Sequence, residues 1–251
     1  MTASLPMYDR STTRGPNDRL WARVREALGR GPQTLDRDTD PRLTWHDPDL
    51  VLSQTCGLPF RLGLNTHVTY VGTPDYGVRG CLPGYYKSYI VVRRDDPRKR
   101  LSEFEKCTLA RNSVLSQSGW AAMENHLVDT GAGFSFERHA IDTGSHEASV
   151  AAVSAGEADI AAIDAVTWTL LKREGATGAC RVLSFTRPTP GLPLITAGGT
   201  DPAPMRSALD RAIKSLSGRD RAQLLLKGVV QIPVEAYLDE PVPPSCKVVT
   251  D

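Results

Sequence analysis

Four stretches of the chain combine small, hydroxyl-bearing and glycine residues in a way that suits recognition of an anion. They are Tyr8-Asp9, Ser53-Gln54-Thr55-Cys56-Gly57, residues 112–119 ending in Ser116-Gln117-Ser118-Gly119, and Thr143-Gly144-Ser145-His146, and Asp164 closes the apolar run after the last of them. Serine hydroxyls together with the unpaired backbone N–H groups of a helix start form a cradle for an oxyanion, and glycine removes side-chain bulk where a ligand must approach closely. Ser116-Gln117-Ser118-Gly119, directly ahead of Trp120, is the sharpest of these. The plain alternative is that Ser116, Ser118 and Ser145 only cap helices. His146, in the first turn of its helix, then serves packing or surface, and Asp164 is a further cap. Read functionally, Asp164 accepts from a ligand ammonium or an acidic ligand proton. Gln54, Thr55 and Cys56 offer donors, and Tyr8, Tyr76, Tyr85, Tyr86 and Trp168 are candidate cleft walls or ordinary packing residues.

Catalytic patterns are weak by comparison. The sequence contains no G-x-S-x-G, H-E-x-x-H, Walker loop or G-x-G-x-x-G. Cys56 ends a strand pattern where a thiol pKa can fall, yet no partner histidine is identifiable. The five histidines show no metal-ligand spacing, so neither a metal nor a cofactor is expected. Five cysteines are an odd number with no C-x-x-C, which points to free buried thiols; a Cys56–Cys81 bridge is the main rival.

The elements that must position these residues follow from periodicity. Residues 17–28 read as a helix with Leu20, Trp21, Val24 and Leu28 on one face, and Gly29 ends it. Residues 30–48 read mostly as loop, 49–55 as a buried strand, 68–72 as a second strand and 72–84 as a functional loop; 85–94 is β-rich. A second α/β series follows: strands at 108–112, 134–140, 160–163 and 180–185, and helices at 118–128, 145–154 and 166–173. Beyond the Pro-rich turn at 188–193 come helices at 205–216 and 221–226, and the tail from Pro241 reads as irregular. Strands alternating with helices predict parallel sheets covered on both faces, with ligands collecting outside the carboxyl ends of the strands.

Composition narrows the partners. Thirty Lys+Arg against 29 Asp+Glu in 251 residues leave no charge excess for a nucleic-acid partner, and no window approaches the roughly 18 apolar residues of a membrane helix. A hydrophobic fraction of 40% supports one large domain or two lobes.

Taken together, these segments resemble the type II periplasmic binding proteins, specifically the phosphate/phosphonate-binding components of ABC importers. The carrying stretches are Gln54 to Gly57, Val71 to Pro74, Gly84 to Val92, Ser116 to Gly119, and above all Thr143 to Ser149 answered by Ala158 to Asp164. The resemblance implies a two-lobed α/β fold, each lobe a mostly parallel sheet flanked by helices, with two hinge crossings. Residues 1–90 and 190–251 form lobe I, residues 91–189 lobe II, and the ligand cleft lies between them. It further implies a non-enzymatic protein that binds a small oxyanion, phosphonate, phosphate or similar, through Ser116, Gln117, Ser118, Gly119, Ser145, His146 and Asp164, with Tyr8, Thr55 and Tyr86 as weaker transfers. A small anionic ligand and an ABC permease are the implied partners and a monomer the implied state. The family's usual members are exported; as written, the chain shows no basic and apolar leader before its first strand, which gives a cytoplasmic expectation instead. Two alternatives accompany this reading: a cytosolic ligand sensor, and an enzyme on the same fold related to pyrimidine-precursor synthases, with His146 as acid/base and Cys56 as reactive thiol.

Overall fold

A computed structural model describes residues 1–249. In chain order its first elements are β1 (Thr2–Ala3), α1 (Arg14–Leu28), α2 (Pro41–Trp45), β2 (Leu50–Gln54), α3 (Gly57–Arg61), β3 (Val68–Asp75) and β4 (Tyr85–Tyr86). There follow β5 (Ser88–Arg93), β6 (Leu109–Arg111), a π turn Gln117–Ala121 running into α4 (Ala122–Asp129), β7 (Ala140–Asp142), α5 (His146–Ala155), β8 (Ile160–Asp164) and α6 (Ala165–Arg173). The last are β9 (Cys180–Phe185), β10 (Thr189–Pro190), β11 (Leu194–Ala197), α7 (Ala203–Ser215), α8 (Gly218–Leu224), β12 (Gly228–Val230) and α9 (Glu235–Leu238).

The chain divides into two compact units, Met1–Tyr85 with Pro190–Asp239, and Tyr86–Thr189 with the segment from Glu240. Compared with the boundaries expected from sequence, residues 86–90 and the tail from Glu240 group with the second unit.

The first unit is built on a five-stranded sheet in the order β1-β2-β11-β3-β12. β1 runs parallel to β2, whereas β11 is antiparallel to both β2 and β3, and β12 is antiparallel to β3. So β1, β2 and β3 share one direction, and their carboxyl ends lie at one edge. All five residues of β2 are buried, as expected of a strand covered on both faces. On one side α1 and α7 bring Leu20, Trp21, Val24, Leu209 and Ile213 against Val51, Leu52 and Val71. On the other, Trp45, Phe60 and Tyr237 pack with Leu50, Val68 and Ile195. α1 begins at Arg14, three residues before the expected start at 17, because Pro16 is tolerated in a first turn, and Gly29 closes it at φ 73°, a left-handed conformation that glycine adopts without strain. Residues 30–48, expected as loop, contain the short α2, started by Asp40, whose carboxylate accepts from the Arg42 N–H.

The second unit carries the sheet β7-β6-β8-β5-β9. β6 is parallel to β7 and β8, while β5 runs antiparallel to β8 and β9. Four of its five strands therefore share a direction; the reversed strand β5 enters the sheet between β8 and β9. Val91, Ala110, Ala161 and Ile163 pack against Val150 and Val153 of α5 and Leu171 of α6. Trp120, Met123, Leu127 and Phe136 are fully or almost fully buried. The strand expected at 134–140 is replaced by a turn, and β7 begins only at Ala140. The cause is Glu124 of α4, whose buried carboxylate accepts from the Ser135 hydroxyl at 2.5 Å and from the Phe136 N–H at 3.0 Å. These bonds draw into the fold a main chain that its alternating aromatics mark as a strand.

None of the five cysteines is in a disulfide, so no Cys56–Cys81 bridge is formed; Cys180 and Cys246 are buried and Cys56, Cys81 and Cys107 half-buried. Among the described residues no helix is long and apolar enough to cross a membrane.

Candidate functional site

In the second unit the parallel registers Arg111↔Asp142 and Ala110↔Ala161 set the carboxyl ends of β7, β6 and β8 side by side. Each of these strands leads into a helix start, so three sets of opening N–H groups, which have no partner within their own helix, gather at one edge. The π turn follows β6, α5 follows β7 and α6 follows β8. A π turn is wider than an α turn and recurs at functional sites.

Each start is capped by its own side chain. The Ser116 hydroxyl accepts from the Gly119 N–H at 2.9 Å, Ser145 from the Ala148 N–H at 3.1 Å, and Asp164 from the N–H groups of Val166 at 2.6 Å and Thr167 at 3.2 Å. The capping role weighed from sequence is thus present for Ser116, Ser145 and Asp164. Ser118 does something else: its Oγ lies 2.7 Å from His146 Nε2. That bond joins the two helix starts that the sequence singles out separately. The segments are stitched further by Thr143, whose N–H and hydroxyl both donate to the Arg111 carbonyl, and by the Gly144 N–H donating to the Asn112 carbonyl at 2.9 Å. Ser88, opposite Asp164 in the sheet register, donates its hydroxyl to the Ser118 carbonyl at 2.8 Å.

Glycine is required at 119 by close approach. A Cβ there would sit 1.9 Å from Asn112 Oδ1, well inside contact distance. Asn112 Oδ1 is itself enclosed and has no hydrogen-bond partner.

Burial pushes the His146 pKa down to about 4, with a hydrogen bond to the Ala162 backbone acting in the opposite sense. Its Nδ1 is enclosed. The ring is therefore neutral near pH 7, one nitrogen carrying hydrogen and the other accepting. Ser118 Oγ and His146 Nε2 share one hydrogen, and the ring tautomer sets which of them donates it. No lysine or arginine occurs in 116–119 or 143–146. Arg111, at the end of β6, lies 4.2 Å over the Trp120 ring and is paired with Asp142 at 2.6 Å. The donors presented at this edge are neutral hydroxyls and backbone N–H groups, and the neutral imidazole is engaged with Ser118.

In the first unit, Tyr8 is buried in a short turn and meets Tyr76 edge-on with ring centroids 4.9 Å apart. The Gln54 side chain, from the last residue of β2, reaches the hydroxyl of Tyr76, the first residue after β3, at 3.2 Å, so Tyr8, Gln54 and Tyr76 meet at the carboxyl edge of this sheet. Behind them, Leu20, Leu52, Leu209 and Ile213 line an apolar cavity of about 40 Å³. Thr55 is completely buried; its N–H donates to the Pro193 carbonyl at 3.0 Å and its hydroxyl to the Cys56 carbonyl at 3.4 Å. Tyr86 is buried in β4.

The structure thus gathers Ser116, Gln117, Ser118, Gly119, Ser145, His146 and Asp164 at one sheet edge of the second unit; Tyr8 and Thr55 belong to the first unit, and Tyr86 belongs to the second, two residues before Ser88. Ser88, Asn112, Thr143 and Arg111 complete that edge without having been chosen as site residues. Asn112 and Thr143 lie inside stretches the sequence picks out, but the roles of Ser88 and Arg111 come from strand register and carry no local signal. Among the described residues no group of three or more His, Cys, Asp or Glu side chains is placed to hold a metal ion.

Comparison with known proteins gives this geometry its context. Residues 67–239 match the family described as ABC transporter, phosphonate, periplasmic substrate-binding protein. A search of curated proteins finds no match. Among solved structures, PhnD1 from Prochlorococcus marinus, in complex with methylphosphonate, superposes with a TM-score of 0.71 at 15% identity, covering 94% of each chain. A binding protein component of an ABC phosphonate transporter from Pseudomonas aeruginosa gives a TM-score of 0.66 at 12% identity, covering 91% of this chain and 80% of that one. A Xanthomonas citri protein bound to ATP gives 0.65 at 18% identity, covering all of this chain and 94% of the other. At such identities these likenesses speak for the fold, which is that of the type II periplasmic binding proteins. With well over half of its length matched, the chain belongs to the phosphonate family of periplasmic ABC-transporter substrate-binding proteins, and it is a solute-binding protein rather than an enzyme.

Proposed function

We propose that this protein binds a small oxyanion, a phosphonate or phosphate, at the carboxyl edge of β7, β6 and β8, as the substrate-binding component of an ABC importer. The observation that carries the reading is the 2.7 Å contact between Ser118 Oγ and His146 Nε2, which turns two separate helix starts into one group of donors. Opening-turn N–H groups and hydroxyls hold a small anion without a cationic side chain, because the helix macrodipoles favour negative charge there.

Asp164, buried at the same edge, adds selectivity. A carboxylate there repels a dianion and accepts the proton of a singly protonated phosphonate or the ammonium of an aminoalkyl one, so sulfate, which carries neither, is disfavoured. The roles of Tyr8, Thr55 and Tyr86 in ligand contact, and delivery of the ligand to a permease, rest on the family resemblance.

Isothermal titration against methylphosphonate, aminoethylphosphonate, phosphate and sulfate tests the proposal. Saturable heat with at least one phosphorus oxyanion, and weaker or absent heat with sulfate, is the expected outcome. Absence of heat and of any thermal shift with all four at millimolar concentration contradicts it.

A further inference from the structure

We propose that the C-terminal segment 240–246 is a positioning strap for the 116–119 turn, an inference that rests on the binding reading above for its functional meaning. The segment brackets the turn from both sides. Ahead of it, the Cys246 thiol donates to the Val114 carbonyl at 3.3 Å; behind it, the Trp120 indole N–H donates to the Ser245 hydroxyl at 3.1 Å. Cys246 and Trp120 are both completely buried, so these contacts are made inside the second unit.

The strap is anchored before it reaches the turn. Glu240 accepts a two-pronged ion pair from Arg187, at 2.9 and 2.5 Å, and Arg187 also reaches Asp129 at 3.1 Å. The next residue, Pro241, accepts from the Asn125 side chain at 3.0 Å on the same helix α4 that continues the π turn. Pro241, Pro243 and Pro244 restrict the backbone between anchor and bracket, which lowers the entropy lost on docking. The need is local: residues 112–116 form an irregular loop outside helix and strand, and the turn they enter aims the Ser118 hydroxyl.

The experiment uses the full chain with Ser245→Ala, the double variant Ser245→Ala/Cys246→Ala, and the conservative Ser245→Thr. Two quantities are read: amide hydrogen exchange at Ser118 and Gly119 without ligand, with Ala148 of α5 as internal reference, and the Kd for methylphosphonate. Faster exchange at Ser118 and Gly119 with Ala148 unchanged, affinity weakened about fivefold or more in the double variant, and recovery in Ser245→Thr are expected, on the scale of one or two lost hydrogen bonds. Ser245 is only half-buried, so the single variant keeps the test open if the double variant does not fold. Exchange or affinity equal to wild type in the folded variants overturns the proposal, as does faster exchange spread evenly over the unit. If the wild-type protein binds none of the anions while exchange changes locally, the strap stands as a structural clamp and the binding reading falls.

Discussion

Acidification separates a buried neutral His146 from an ordinary surface histidine. Its pKa falls from the usual 6.5 to about 4 because the folded protein removes the ring from water. Below pH 6.5 the unfolded chain takes up a proton that the folded protein refuses, so stability contributed by the neutral ring is fully present above that pH and drains away as pH falls toward 4. Each pH unit in this window is worth about 1.4 kcal/mol, giving a total of roughly 3 kcal/mol. Other groups titrate in the same range, so the useful quantity is the difference between wild type and His146→Asn, which cannot titrate. Urea unfolding of both proteins, in steps from about pH 7 to about pH 4, should show the wild-type advantage shrinking by roughly 3 kcal/mol across the series. An advantage that stays constant, or a ring resonance that titrates near 6.5 by NMR, refutes the burial argument and with it the neutral-donor description of the site.

Two further substitutions follow from the same edge. Gly119→Ala places a methyl group on Asn112 Oδ1 and should destabilise the protein by about 1–3 kcal/mol in chemical denaturation while weakening anion binding, since the turn must shift to make room. Asp164→Ala removes the cap of α6 and should lose about 0.5–2 kcal/mol of stability. Asp164→Asn keeps a capping oxygen, so it should recover most of that stability yet relax discrimination against sulfate; recovery of both properties would show that Asp164 is a cap and nothing more.

Local signals exposed the helix starts well. Ser145 and Asp164 are caps with short polar side chains at the point where an apolar strand stops, and the residues needed to recognise them are neighbours in sequence. α1 was legible from its stripe but not at its start, because Pro16 looks like a boundary and is in fact an acceptable first-turn residue. What stayed hidden depends on partners distant in the chain. Phe134 and Phe136 alternate like a strand, yet Glu124, a dozen residues earlier, takes the Phe136 N–H and leaves a turn. The short strand β11 was hidden behind a Pro-rich turn and is defined by its insertion, antiparallel, between β2 and β3. The tail from Pro241 reads as irregular from its prolines, and its contacts with Val114, Trp120 and Asn125 span more than a hundred residues. The same holds for the site: its segments were visible one by one, but the approach of Ser118 to His146 is a product of strand register.

A double-mutant cycle on methylphosphonate binding, with Ser118→Ala, His146→Ala and the pair, addresses that approach directly. If both side chains act on one anion, each single change weakens binding by about 1–3 kcal/mol, and the double variant loses clearly less than the sum because each change already breaks the shared bond. Wild-type affinity in both single variants, or losses that simply add, would contradict a single oxyanion cradle built from these two helix starts.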